Sequence, residues 1–131
     1  GQQLRASRTE AYTNLQTLRL LEEQFFAENG RYTIDLGAAG STPAIRDANL
    51  ALIQDTVNDP DIDELRGFRP GANTNFSYRT VQNFRIDTPI ANPQTMTTAQ
   101  NPCFTAIATG VDGMRVAGDV FAIDCNNNKN F

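Results

Sequence analysis

Apolar positions recur with helical spacing from Leu4 to Tyr32. At about 100° per residue, Leu4, Ala11, Leu15, Leu18, Leu21, Phe25 and Phe26 share one face, and Thr9, Thr13, Gln16, Thr17 and Gln24 lie opposite. No Pro or Gly interrupts the run, and Asn29-Gly30 supplies a stop. The pattern predicts a long amphipathic helix whose broad Leu/Phe face packs on a sheet or other core elements, not a narrow coiled-coil seam. Leu20 falls on the outer face. Glu22 falls near the apolar centre, with Arg19 one turn earlier as an available partner. The start is weakly specified: no Ser, Thr, Asp or Asn precedes it, and the first charges, Arg5 and Arg8, oppose the macrodipole. Such a start suits a helix that frays at a terminus or one cut partway along its length.

Residues 31–41 read as a connector anchored by Tyr32, Ile34 and Leu36. Ser41-Thr42-Pro43 then offers a hydroxyl cap followed by Pro at the first helical position. Ala44, Ile45, Ala48, Leu52 and Ile53 continue with helical spacing, predicting a short helix to about Gln54 or Val57 that ends before Asn58-Asp59-Pro60. The acidic run Asp59-Pro-Asp-Ile-Asp-Glu64 makes Asp59, Asp61 and Asp63 weak calcium candidates, since hard cations want several oxygens from one loop. The run lacks Gly at the sixth position of an EF-hand loop, so a solvated turn, with Asp63 or Glu64 paired to Arg66 or Arg69, is the plainer reading.

The period changes after the turn at Arg69–Thr74. Asn75-Phe-Ser-Tyr-Arg-Thr-Val81 alternates Phe76, Tyr78 and Thr80 with polar residues, as a half-buried strand does. Asn75-Phe76-Ser77 also matches a glycosylation sequon, a triplet that arises often by chance. Residues 82–102 carry Pro89, Pro93 and Pro102 and a polar Gln94–Asn101 run; they predict a short edge strand at Phe84 and Ile86 within an exposed loop. Two further strands, Cys103–Thr109 and Asp119–Cys125, flank a turn with Gly110, Gly113 and Gly118. Folding them with Gly110 opposite Gly118 sets Cys103 directly opposite Cys125 and Ile107 opposite Phe121. Opposed residues of an antiparallel pair lie within reach of a disulfide. A structural Cys103–Cys125 bridge is therefore expected, and the tail after Cys125 reads as polar.

Composition adds exclusions. The chain has 131 residues, a formal charge of −4 and a single lysine, Lys129, which does not suggest a nucleic-acid-binding surface. It has no histidine, the commonest general base and transition-metal ligand. No apolar run approaches the roughly 18 residues that span a bilayer. With no Gly-rich phosphate loop and carboxylates confined to apparent surface turns, no catalytic residue, cofactor or enzyme activity is expected. The element order predicts one α+β domain: a long N-terminal helix packed on a three- or four-stranded antiparallel sheet.

These elements resemble the type IV pilins of bacteria. The resemblance is carried by Arg8-Thr-Glu-Ala-Tyr-Thr-Asn-Leu15, Glu22-Glu-Gln-Phe-Phe-Ala-Glu-Asn-Gly-Arg-Tyr-Thr33, Gly67-Phe-Arg-Pro70 with Asn75-Phe-Ser-Tyr-Arg79, and the terminal strands Cys103–Thr109 and Gly118–Cys125. It covers most of the chain in order, although no single motif is diagnostic. It implies the pilin fold, with residues 1–30 as the second half of a long helix, 31–73 as an αβ-loop with a short helix, and 74–131 as the sheet and C-terminal hairpin. In that family an apolar first half of the helix anchors the subunit in the inner membrane and later forms the filament core. The resemblance therefore implies a soluble segment cut inside that helix.

The implied function is that of a structural subunit of an extracellular pilus. Its partners would be other pilin subunits and the inner-membrane assembly machinery, and its subunit-contact candidates are Leu4, Arg5, Arg8 and Leu20. Two alternatives stand beside it. One is a type II secretion pseudopilin, against which the cysteine pair and the poor calcium pattern count. The other is an exported disulfide-stapled module for glycan or protein ligands. Adhesion, twitching, DNA uptake and electron transfer are not distinguished.

Overall fold

The helical period that begins near Leu4 is realised as one helix, α1 (Gln2–Asn29), in a computed structural model that describes residues 1–55, 63–86 and 98–131. Its start has no side-chain cap and no acid in the first turn. It closes at Gly30, where φ is 73° and the N–H returns to the Phe26 carbonyl at 2.7 Å. Only a residue without Cβ takes that left-handed conformation at no steric cost. Ala11, Leu15 and Leu18 are fully buried, while Leu4, Tyr12, Leu21 and Phe25 pack partly against the same core.

That core is the face of a three-stranded antiparallel sheet in the order β1 (Phe76–Arg85), β2 (Thr98–Gly110), β3 (Val120–Asp124). Phe76 and Tyr78 of β1, Ala106 and Ala108 of β2, and Ile123 of β3 meet the helix. The alanines matter because β2 is the central strand, and their small side chains let α1 approach the sheet closely. A second, smaller cluster of Ile86, Ile107 and Ala122, with Val81 and Val120, lies on the other sheet face. The fold is α+β with the helix on one face of an antiparallel sheet.

The β2–β3 register differs by one residue from the expected one. Ala106 faces Ile123, Ile107 faces Ala122 and Ala108 faces Phe121, and the Gly110 N–H bonds the Asp119 carbonyl at 2.8 Å, not Gly118. A one-residue slip turns every β3 side chain to the opposite face. Phe121 and Ile123 thereby enter the helix-side core, and Val120 and Ala122 join Ile107. The turn decides this. Residues 111–119 form successive tight turns in which the Met114, Ala117 and Asp119 N–H groups return to the carbonyls three residues before them, and a Cβ at Gly110 would lie 1.8 Å from the Val116 carbonyl oxygen.

β2 is also longer than expected. It begins inside the polar Gln94–Asn101 run, where Ala99 pairs with Phe84 and Thr98 with Arg85 beyond a bulge at Asn83 (φ 63°). Backbone pairing holds this extension, so no alternation of side chains marks it. The remainder of the expected loop, residues 87–97, lies outside the described residues.

The second helix, α2 (Pro43–Gln54), starts as expected: Thr42 Oγ1 accepts the Ile45 N–H at 3.2 Å and Pro43 occupies the first turn. Its buried face matches the predicted apolar one only in part, with Ile53 fully buried and Ile45 and Leu52 half-buried. Ala44 and Ala48 are exposed, whereas Arg46, Asn49 and Ile53 are buried. Arg46 donates to the Thr74 carbonyl (3.1 Å). Asn49 brackets Ala38, accepting its N–H and donating to its carbonyl, both at 2.9 Å, and reaches Ser77 Oγ at 3.2 Å. Polar side chains thus satisfy loop backbone that no sheet partner reaches.

Candidate assembly surface

α1 carries all four subunit-contact candidates, and the fold gives them different surroundings. Leu20 is 59% exposed, on the face away from the sheet. Arg5 is exposed one turn into the helix. Leu4 packs partly against the core. Arg8 is held within the chain: its Nε and Nη2 donate to the two Asp119 oxygens at 2.8 and 3.2 Å, joining α1 to the residue before β3. This pair is substantially exposed and contributes little to stability; its effect is to fix the helix against the turn.

At the other end of α1 three carboxylates secure the connector, Glu22 and Glu23 from the helix and Asp63 from the segment after α2. Glu22, fully buried, accepts the Thr33 N–H at 3.0 Å and its hydroxyl at 2.8 Å. Arg19, the partner the sequence offered, bonds Gln16 instead. Burial pushes Glu22 up to about 7, the two bonds from Thr33 hold it lower than burial alone would, and the charges of Asp63 and Glu23 add to the rise. Glu23 accepts the Tyr32 hydroxyl at 3.0 Å, and burial with that bond raises the phenol to about 12. Asp63 takes a two-pronged bond from Arg31 at 2.6 and 2.8 Å and the Ile34 N–H at 2.9 Å. The Arg31 guanidinium holds the Asp63 carboxyl below its usual range.

That arrangement bears on calcium. Asp63 is committed to Arg31, not to Arg66 or Arg69, whereas Glu64 pairs with Arg66 at 3.0 Å as expected. Asp59 and Asp61 lie outside the described residues. Among the described residues no group of three or more His, Cys, Asp or Glu could hold a metal ion, and no described helix is long and apolar enough to cross a membrane. The sequon is internal to the fold: Asn75 Nδ2 donates to Glu10 at 3.1 Å and Ser77 is buried.

The distal end of the sheet is stapled. Cys103 and Cys125 form a disulfide with Cα atoms 5.3 Å apart. Under the observed register Cys125 opposes Phe104, whose carbonyl accepts the Cys125 N–H at 2.9 Å, so the bridge is offset by one position and forms where β3 has given way to a turn. Asp124, fully buried, organises that turn, accepting the N–H groups of Ile86, Asn126 and Asn128 at 2.9 Å each. The sequence signal for this was the Asp before three asparagines, a side chain suited to capping turns. The tail is not merely polar: Lys129 bridges to Ile123, and Phe131 stacks on Tyr12 with centroids 4.7 Å apart.

No protein-family model, curated protein or solved structure matches this chain.

Proposed function

We propose that this chain is the globular head of a type IV pilin, a non-catalytic subunit that acts by polymerising into an extracellular filament and displaying its outer surface. The observation that carries the reading is the placement of α1. Residues 2–10 contain no fully buried side chain, and burial begins at Ala11 and continues through Leu15, Leu18 and Glu22. One continuous helix therefore starts at the margin of the head and becomes its spine. That form suits a subunit whose helix serves both a filament interior and a folded head.

Two further features support it. A structural disulfide suits an oxidising location outside the cytoplasm. Leu20 stands exposed on the helix face that the sheet leaves uncovered, where a neighbouring copy could cover it. On this reading the partners are other copies and the assembly machinery, the subunit rests in the inner membrane before assembly, and the connector and stapled hairpin face outward. Expression of the chain behind a pilin leader and apolar half-helix, in a bacterium that assembles pili, tests this. The subunit should appear in filaments sheared from the surface; its retention in the membrane fraction alone contradicts the proposal.

A further inference from the structure

On the sheet face away from α1, Arg79 of β1, Thr109 of β2 and Val120 of β3 line a cavity of about 380 Å³. Its rim is the connector at Gly40–Ser41 and the turn at Asp112 and Gly118. The rim is built: the Asp112 N–H donates to the Ser41 carbonyl and the Ser41 hydroxyl to the Asp112 carboxylate, both at 2.8 Å. Two glycines, Gly110 and Gly118, keep the adjoining wall low.

Among the described residues the cation of this cavity has no ion-pair partner. Arg46, Arg8, Arg31 and Arg66 each reach a carboxylate within 4 Å, whereas Arg79 is in no ion pair among the described residues. Its Nε is buried with no hydrogen-bond partner among the described residues. Burial lowers the Arg79 pKa, and the Asp35 charge only partly opposes this. A guanidinium offers a planar fork of donors matched to a carboxylate, and a buried donor left unmade is costly. At the opposite rim, Asp112 is an acceptor for hydroxyl donors, while a second anion beside it is disfavoured.

We infer that this cavity binds a small polyhydroxylated carboxylate, a sugar acid, with the carboxylate on the Arg79 guanidinium and ring hydroxyls toward Asp112, Ser41 and Thr109. The volume is at the lower end of small-ligand sites, as one monosaccharide requires. This assignment stands apart from the filament reading, since the cavity belongs to the folded head alone.

The test is amide NMR of the oxidised protein titrated with sodium glucuronate at constant ionic strength, with glucose as the uncharged counterpart. Saturable shifts are expected at Gly40, Ser41, Thr109 and Gly110 with glucuronate and not with glucose. Arg79→Gln should weaken binding by about tenfold, the loss of one charge-assisted pair. Arg79→Lys, which keeps the charge without the fork, should weaken it less, and it decides the matter should the glutamine variant lose its dispersed spectrum. Glucuronate leaving these amides unmoved, glucose shifting them equally, or both Arg79 variants binding as the wild type does, overturns the assignment.

Discussion

The Glu22 carboxylate takes two hydrogen bonds from a single residue, Thr33: the backbone N–H at 3.0 Å and the hydroxyl at 2.8 Å. A buried acid thereby fastens α1 to the first residues of the connector. Its pKa of about 7 lies above the ordinary 4.5, so the folded state binds this proton more tightly than the unfolded chain. The Glu22 contribution to stability is therefore fully present below pH 4.5 and is lost as pH rises toward 7, by on the order of 3 kcal/mol. Asp63, whose pKa is lowered, acts in the opposite sense only below its ordinary value of 3.8, and no histidine titrates between. Urea unfolding between pH 5 and 8 should show stability falling with pH in the wild type and a flatter profile in Glu22→Gln. Equal slopes contradict this account.

Asp124 is predicted to be the most sensitive polar position. Asp124→Ala would strip three backbone N–H groups of their acceptor at once, at a cost of about 3–5 kcal/mol. Asn, which keeps one acceptor oxygen, should recover part of it. Denaturant midpoints of both variants check the order.

The disulfide closes a loop with a sequence separation of 22 residues. Replacing both cysteines by alanine should cost about 3 kcal/mol through the unfolded chain. The β2–β3 register should survive, because the turn and the helix-side core set it. Cross-strand contacts between Ala106 and Ile123 in the cysteine-free protein test that; contacts between Ile107 and Phe121 would contradict it.

Phe131 stacks on Tyr12, which meets Phe121 edge-on at 4.9 Å. Phe131→Ala should lower stability by about 1 kcal/mol, and Phe131→Leu, which keeps an apolar side chain but not the ring stack, by less. Thermal unfolding of the two variants checks the order, and equal midpoints contradict it.

Much of the fold was legible because strong local signals agreed with it. The 3.6-residue period and Gly30 marked α1, the Thr42–Pro43 cap marked α2, and alternation marked the start of β1. The disulfide partners were legible too, but the register was not. Two cysteines in a hairpin invite direct opposition, yet Gly110 against Val116 shapes the turn and shifts the pairing by one. Glu22 looked misplaced because its partner, Thr33, lies beyond the helix end. Arg46 and Asn49 give no signal in the sequence, because a polar residue reads as surface until the loop backbone it satisfies is in view. Arg79 carried no signal at all: alternation puts it opposite Tyr78, and only the connector crossing that face encloses it.

The central claim is that α1 is the spine of a polymerising subunit, and Leu20 reports on it most directly. A Leu20→Cys variant, joined to the pilin leader and half-helix, can be labelled with a maleimide in the detergent-solubilised monomer and in sheared filaments. The claim predicts rapid labelling of the monomer, where Leu20 is 59% exposed, and strong protection in the filament. Equal labelling of both states, or no filament containing the chain, would contradict it.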